Sequence, residues 1–287
     1  MTDLDFRAPT DLAEGTALLA EHGPDAKVLA GGTALVLSMK QRLVRPRVLV
    51  SLQRVPGLAE VTPHDGGLRI GARATLRDLE TSPPIAERLP SLRDTIARVA
   101  TVRIRNHATI GGNLAQGDPL MDVPAVLMAL DATVRLASAQ GDRAVPLALF
   151  YVDRHTIAAR PDEIITAVDV PAQPLRTATA YLKYVPRTVT DYPTVGVAAR
   201  LTLDEAGDRV DDVRLALAGA GPTTLRAVAA EDLLRGRRPT TGAFAEVAAT
   251  VRDMAAPDAD FRGSAEYKRE MIEVHVRRAL QQVYRSL

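Results

Sequence analysis

The sequence predicts an α+β protein built from more than one compact unit. Three observations carry that reading. The chain has 287 residues, more than one small domain needs. Two strand–turn–strand patterns, "LAEVTPHDGGLRIGA" and "ATVRLASAQGDRAVPL", alternate with helical segments. A change of composition at Gln173 to Thr179 is followed by "AYLKYV", "TVGVAARLTLD" and "VDDVRLALAGAG", which read as a separate small sheet.

In chain order, Asp11 and Glu14 have capping-box spacing, so a helix is expected from about Asp11, with Leu12, Leu18 and Leu19 as its apolar face. "AKVLA" reads as a buried strand ending at Gly31, and "ALVLSMKQRL" fits helix or strand. "RVLVSL" is a strand after Pro46. The first hairpin turns at Asp65-Gly66 and the second at Gly141-Asp142. "LRDLETS", "SLRDTIARVA" and "VPAVLMAL" read as helices, and "NHATIGGNLAQGDPLMDVP" as a loop before the last of them. "DEIITAVDVP" is a strand closed by Pro171. The final helix carries Ile272, Val276, Ala279, Leu280 and Val283 on one stripe, expected to pack on the small sheet.

Composition excludes several functions. Hydrophobic residues make up 46%, which suits a packed core. Aromatic residues are only 3% and the net charge is +1, which argues against nucleic-acid binding. With no cysteine, the chain holds neither disulfides nor a thiolate-bound cluster. No signal-peptide pattern or spanning apolar run is read, and a cytoplasmic location is expected. No "GxSxG" or "HExxH" occurs, and the histidines His22, His64, His107, His155 and His275 lack metal spacing. Arg98, Arg103 and Arg105 read as a solvated face, with phosphate attraction or a subunit contact as the sharper alternative.

Two glycine pairs carry the chemistry. Ala30-Gly31-Gly32-Thr33-Ala34-Leu35 follows a strand, and Thr109-Ile110-Gly111-Gly112-Asn113 recurs downstream. Consecutive glycines can converge backbone N–H groups into an anion cradle. Each pair alone is also a tight turn. Asp122 reads as an N-cap, as an acceptor for ligand hydroxyls, or as both.

"VLAGGTAL…MKQRLVRPRVLVSL", "GGLRIGA" and "IRNHATIGGNLAQGDPLMDVPAVLMALDA", continued by "YLKYVPRTVTDYPTVGVAA" and "AGAGPTTLRA", resemble the FAD-binding medium subunits of molybdenum hydroxylases. The resemblance covers nearly the whole chain. It implies a two-part FAD-binding module of the vanillyl-alcohol-oxidase-like type over residues 1–174, with subdomains of about 1–53 and 54–174. A C-terminal α+β flavoprotein domain would occupy residues 175–287. It implies FAD contacts at Ala30 to Leu35 and Thr109 to Asn113. Further cofactor contacts are implied at Asp122, Ile165, Lys183 and Tyr192. Ala34 replaces an aspartate or polar residue found in many relatives, and Val99 an aromatic one found in some. The implied partners are a small subunit with two [2Fe–2S] clusters and a large molybdenum-cofactor subunit, as a heterotrimer or dimer of heterotrimers. The implied activity is electron transfer through FAD. A stand-alone flavin oxidase and a non-catalytic binding protein are the competing readings.

Overall fold

The structure is a computed structural model that describes residues 4–287. Its first unit is a three-stranded parallel sheet in the order β1-β3-β2: β1 (Asp5–Arg7), β2 (Ala26–Leu29) and β3 (Val48–Ser51). Helix α1 (Leu12–His22) connects β1 to β2, and Leu19 enters the core with Val48 and Val50. Asp11 caps α1 by accepting from the Glu14 N–H at 2.8 Å. The Glu14 carboxylate turns back to the Thr10 N–H, so only half of the expected box forms. The ambiguous "ALVLSMKQRL" forms a short helix, α2 (Leu35–Lys40), with no buried residue.

The second unit is a five-stranded antiparallel sheet in the order β4-β5-β10-β6-β7. Its first hairpin is β4 (Val61–His64) and β5 (Gly67–Gly71). Asp65 (φ 46°) and Gly66 (φ 77°) are both left-handed there, as a two-residue primed turn requires. Helices α3 (Leu76–Thr81), α4 (Pro83–Arg88), α5 (Pro90–Ile96), α6 (Val102–Arg105), α7 (Ile110–Ala115) and α8 (Asp122–Ala129) follow. Strands β6 (Thr133–Ser138) and β7 (Gly141–Pro146) make the second hairpin. Because Ser138 pairs with Gly141, the turn is Ala139-Gln140, two residues before the expected Gly141-Asp142. Gly141, at φ 126°, instead opens the returning strand. A small hairpin, β8 (Tyr151–Asp153) and β9 (Thr156–Ile157), precedes β10 (Ile164–Val170).

The third unit is a four-stranded antiparallel sheet, β11 (Thr177–Tyr184), β12 (Val195–Leu203), β13 (Val210–Ala218) and β14 (Leu225–Arg226). Helices α9 (Val228–Asp232), α10 (Thr241–Met254) and α11 (Ala265–Arg285) complete it. The period-2 alternation of β12 and β13 divides their side chains between two cores. Val195, Val197, Leu201, Leu215 and Leu217 pack with α10 and α11, where Ile272, Val276, Ala279, Leu280 and Val283 are buried as the stripe predicts. Ala198, Ala216 and Ala218 join the core of α8 instead. Their small size lets that wholly buried helix lie close against the sheet.

A charged cluster reinforces this junction. Asp131, just past α8 at φ 56°, accepts from Arg200 (2.8 Å), Arg214 (3.0 Å) and Arg226 (3.3 Å), all on the third sheet. Arg200, 4% exposed, also reaches Asp212 and the Gln173 side chain.

Candidate cofactor site

The two glycine segments meet across a cavity of about 460 Å³ between the first and second units. That volume falls within the roughly 300–1,000 Å³ of small-molecule sites. One wall is β2 and Ala30 to Leu35; another is Ala72 with Thr109, Gly111, Gly112 and Asn113; a third comes from β9 and Arg160 to Ile165.

The first segment has an open backbone. Gly32 is left-handed at φ 71°. A Cβ on Gly31 would lie 1.8 Å from the His107 carbonyl oxygen, so only glycine permits the close approach of the two segments. Among the described residues, the N–H groups of Gly32, Thr33, Ala34 and Leu35 donate to no protein acceptor. Ala34 flanks α2 without a side-chain cap, which leaves these donors to a ligand.

The second segment differs from the expected loop. Residues 110–115 form α7, capped by Thr109, whose hydroxyl accepts from the Gly112 N–H at 3.2 Å. Ile110 N–H donates to the Ala74 carbonyl, Gly111 N–H to that of Ala72 and Asn113 N–H to that of Thr109. Its backbone is therefore committed to the fold, and it does not form a second open nest. Gly111 is required by packing, since a Cβ there would meet the Ala72 Cβ at 2.7 Å. What this segment offers is the Asn113 side chain, whose buried oxygen has no partner among the described residues.

Ile165 reaches the cavity wall at a β-bulge where β10 shifts register against β6 between Ile165 and Ala167. His155 also lines the cavity. It sits left-handed (φ 54°) in the β8–β9 turn, and its Nδ1 is 3.0 Å from the Gln116 carbonyl. His107 contributes its carbonyl to the junction with Gly31. Arg105 is buried and bonded to Glu80 and to the Val99 and Ala100 carbonyls, so it is not part of the expected solvated face.

Asp122, Lys183 and Tyr192 do not line this cavity. Asp122 is the first residue of α8, not its cap; Met121 flanks the helix without a side-chain bond. The Asp122 carboxylate accepts from the Tyr181 hydroxyl (2.7 Å) and the Lys183 ammonium (2.9 Å), and Lys183 also donates to the Arg98 carbonyl (3.1 Å). Burial pushes the Asp122 carboxyl up, against the pull of Lys183 and Tyr181. Tyr192 is 46% exposed. Its partial burial and the neighbouring Asp118 and Asp122 carboxylates push its hydroxyl up. Tyr181 escaped the sequence reading, although its spacing two residues before Lys183 puts both side chains on one face of β11.

Unpartnered N–H donors and a glycine-enforced close approach fit the charged pyrophosphate of a dinucleotide, and the orphaned amide oxygen fits a donor elsewhere on it. Fold and cavity together define the class, a flavin-adenine-dinucleotide-binding module joined to a smaller α+β domain. Residues 2–173 match the FAD binding domain in molybdopterin dehydrogenase, and residues 180–283 match the CO dehydrogenase flavoprotein C-terminal domain. The chain belongs to this family of FAD-binding subunits of molybdopterin-dependent oxidoreductases. It is 36% identical over 276 residues to the 6-hydroxypseudooxynicotine dehydrogenase complex subunit alpha of Paenarthrobacter nicotinovorans, covering 96% of this chain and 93% of that one. It is 34% identical to the carbon monoxide dehydrogenase medium chain of Hydrogenophaga pseudoflava, covering 96% and 95%. Among solved structures, carbon monoxide dehydrogenase of Hydrogenophaga pseudoflava superposes with a TM-score of 0.94 at 35% identity, covering 98% of this chain and 97% of that one. Quinoline 2-oxidoreductase of Pseudomonas putida 86 gives 0.91 at 30% identity, covering 99% and 97%.

Proposed function

We propose that this chain is the electron-transfer subunit of a molybdenum hydroxylase. It takes electrons from [2Fe–2S] clusters on a small partner subunit and hands them to an external acceptor, while a large molybdenum-cofactor subunit oxidises the substrate. The assembly is a heterotrimer or a dimer of heterotrimers. The observation that carries the reading is the cavity: it offers N–H groups and an amide to a cofactor but, among the described residues, no paired acid, base or nucleophile for substrate chemistry. FAD supplies the redox chemistry, exchanging one or two electrons. The chain's own residues bind and orient it.

In this reading Ala30, Gly31, Gly32, Thr33, Ala34 and Leu35 hold the pyrophosphate by their backbone. Thr109, Ile110, Gly111, Gly112 and Asn113 form the opposing side, with the Asn113 amide as its polar group. Ile165 packs on the cofactor, and Asp122, Lys183 and Tyr192 serve the flavin or its ribityl chain from the domain junction. The test is co-purification of a tagged chain. An equimolar complex containing iron, molybdenum and FAD is expected. A flavoprotein that purifies alone and is bleached by its own small-molecule substrate would favour a stand-alone oxidase instead.

A further inference from the structure

Strand β2 stands at the edge of the first sheet, whose order is β1-β3-β2, and it forms one wall of the cofactor cavity. Lys27, Val28, Leu29 and Ala30 line that cavity in succession. Side chains of a strand point alternately to its two faces, so a sheet face would show every second residue. A consecutive run means that the cavity meets the strand along its open edge, where backbone groups are presented.

The ladder determines which groups these are. Strand β2 runs parallel to β3, with Val28 opposite Val50. Where the pair begins, the Arg47 N–H donates to the Asp25 carbonyl at 2.8 Å. Backbone groups of successive residues turn to opposite sides, so Asp25, Lys27 and Leu29 face β3 and Val28 faces away from it. Among the described residues, the Val28 N–H and C=O meet no protein partner on that open side. One residue thus offers a free donor and a free acceptor side by side. It lies on the strand that leads into the open backbone of Gly32 to Leu35, and Ile157 and Ile165 on another wall of the cavity supply an apolar surface.

We propose that the Val28 N–H and C=O read the adenine of the dinucleotide and make the site selective for a 6-amino purine. This rests on the reading that the cavity holds FAD. Adenine carries an acceptor at N1 beside a donor at its 6-amino group, the complement of one extended residue's N–H and C=O. Hypoxanthine carries a donor at N1 and an acceptor at O6, which sets donor against donor and acceptor against acceptor. A site built on paired hydrogen bonds rejects such a ligand, because its own groups are left unpaired.

The experiment is a calorimetric titration of the full chain, freed of flavin, with FAD and with flavin hypoxanthine dinucleotide. It compares the wild type with Val28→Ala, which keeps both backbone groups, and Val28→Pro, which removes the N–H. Proline is tolerated on an edge strand where the N–H faces outward. The expected result is that the wild type binds the hypoxanthine dinucleotide at least about tenfold more weakly than FAD. Val28→Ala should keep that ratio, whatever the lost methyl groups do to both affinities. Val28→Pro should weaken FAD binding about tenfold and narrow the ratio. Equal affinities in the wild type overturn the proposal and leave the FAD reading standing. A ratio that Val28→Pro leaves at the wild-type value also overturns it, because the base is then read elsewhere. A wild-type chain of native circular dichroism that binds neither dinucleotide removes the FAD reading and the proposal with it. Should Val28→Pro lose its circular dichroism, flavin 1-deazaadenine dinucleotide, which lacks the N1 acceptor, is titrated into the wild type instead. Binding about tenfold weaker than FAD supports the proposal, and equal binding overturns it.

Discussion

At the scale of single residues, the two glycine pairs owe their identity to different causes. Gly31 is fixed by the His107 carbonyl, 1.8 Å from where a Cβ would stand. Gly31→Ala should therefore cost at least the roughly 1–3 kcal/mol of ordinary overpacking. It should also part the two segments and abolish FAD retention, as read from the visible spectrum after gel filtration. Thr109→Ala removes the cap of α7 and the partner of the Gly112 N–H, and should lower stability by about 1 kcal/mol in urea titrations. The sequence made both pairs visible but could not tell an open nest from a committed one. That difference lies in the Ala72 and Ala74 carbonyls, distant in the sequence but bonded to the Gly111 and Ile110 N–H groups in the fold, and so absent from any local pattern. Asp122 was legible as a helix-start acid. Its engagement with Tyr181 was not, because it depends on the register that sets Gly196 beside Tyr181.

At the scale of elements, α8 is the wedge that joins the modules. All eight of its residues are buried, between the second unit and the alanine face of β12 and β13. Leu127→Ala should cost about 2–5 kcal/mol, read as a lowered denaturation midpoint, since the side chain is fully buried. Beside it, Asp131→Ala leaves three guanidinium groups short of an acceptor and should cost about 1–3 kcal/mol. The longer helices and strands and the first hairpin followed from periodicity and turn residues, whereas β1, α4, α6 and the β8–β9 hairpin lay outside that reading. So did the α7 helix and the Ala139-Gln140 turn. Glycines that usually break helices sit in the first turn of α7, where Thr109 and the neighbouring strand end hold the backbone. Gly141 offered a turn signal that the register assigns to the strand.

At the scale of the whole molecule, partly buried, arginine-paired carboxylates set the response to acid. Burial pushes Asp169, Asp212 and Glu163 up, but bonds from Arg69 and Arg135, from Arg200 and Arg214, and from Arg143 outweigh it and hold all three below their ordinary range. A carboxyl depressed in the folded state stabilises fully above its unfolded value, about 4, and loses that contribution as pH falls through the lower folded value. Asp122, raised in the folded state, acts in the opposite sense: its contribution is lost as pH rises from the ordinary value to the raised one. Because depressed carboxyls outnumber the raised Asp122, chemical-denaturation stability should be level near neutrality and drop below about pH 4. Glu163→Gln should flatten that acid limb. The α+β class could be read from the pattern of elements, whereas the cofactor was implied by the resemblance of the two glycine segments and their flanks. The proposed iron–sulfur electron donor leaves no signature in this chain, which has no cysteine. The most direct test of the electron-transfer role is anaerobic rapid mixing of the FAD-loaded chain with the reduced iron–sulfur partner, followed at the flavin's visible absorption band. Bleaching of that band with matching reoxidation of the clusters is the expected result; clusters that stay reduced beside a flavin that stays oxidised would contradict it.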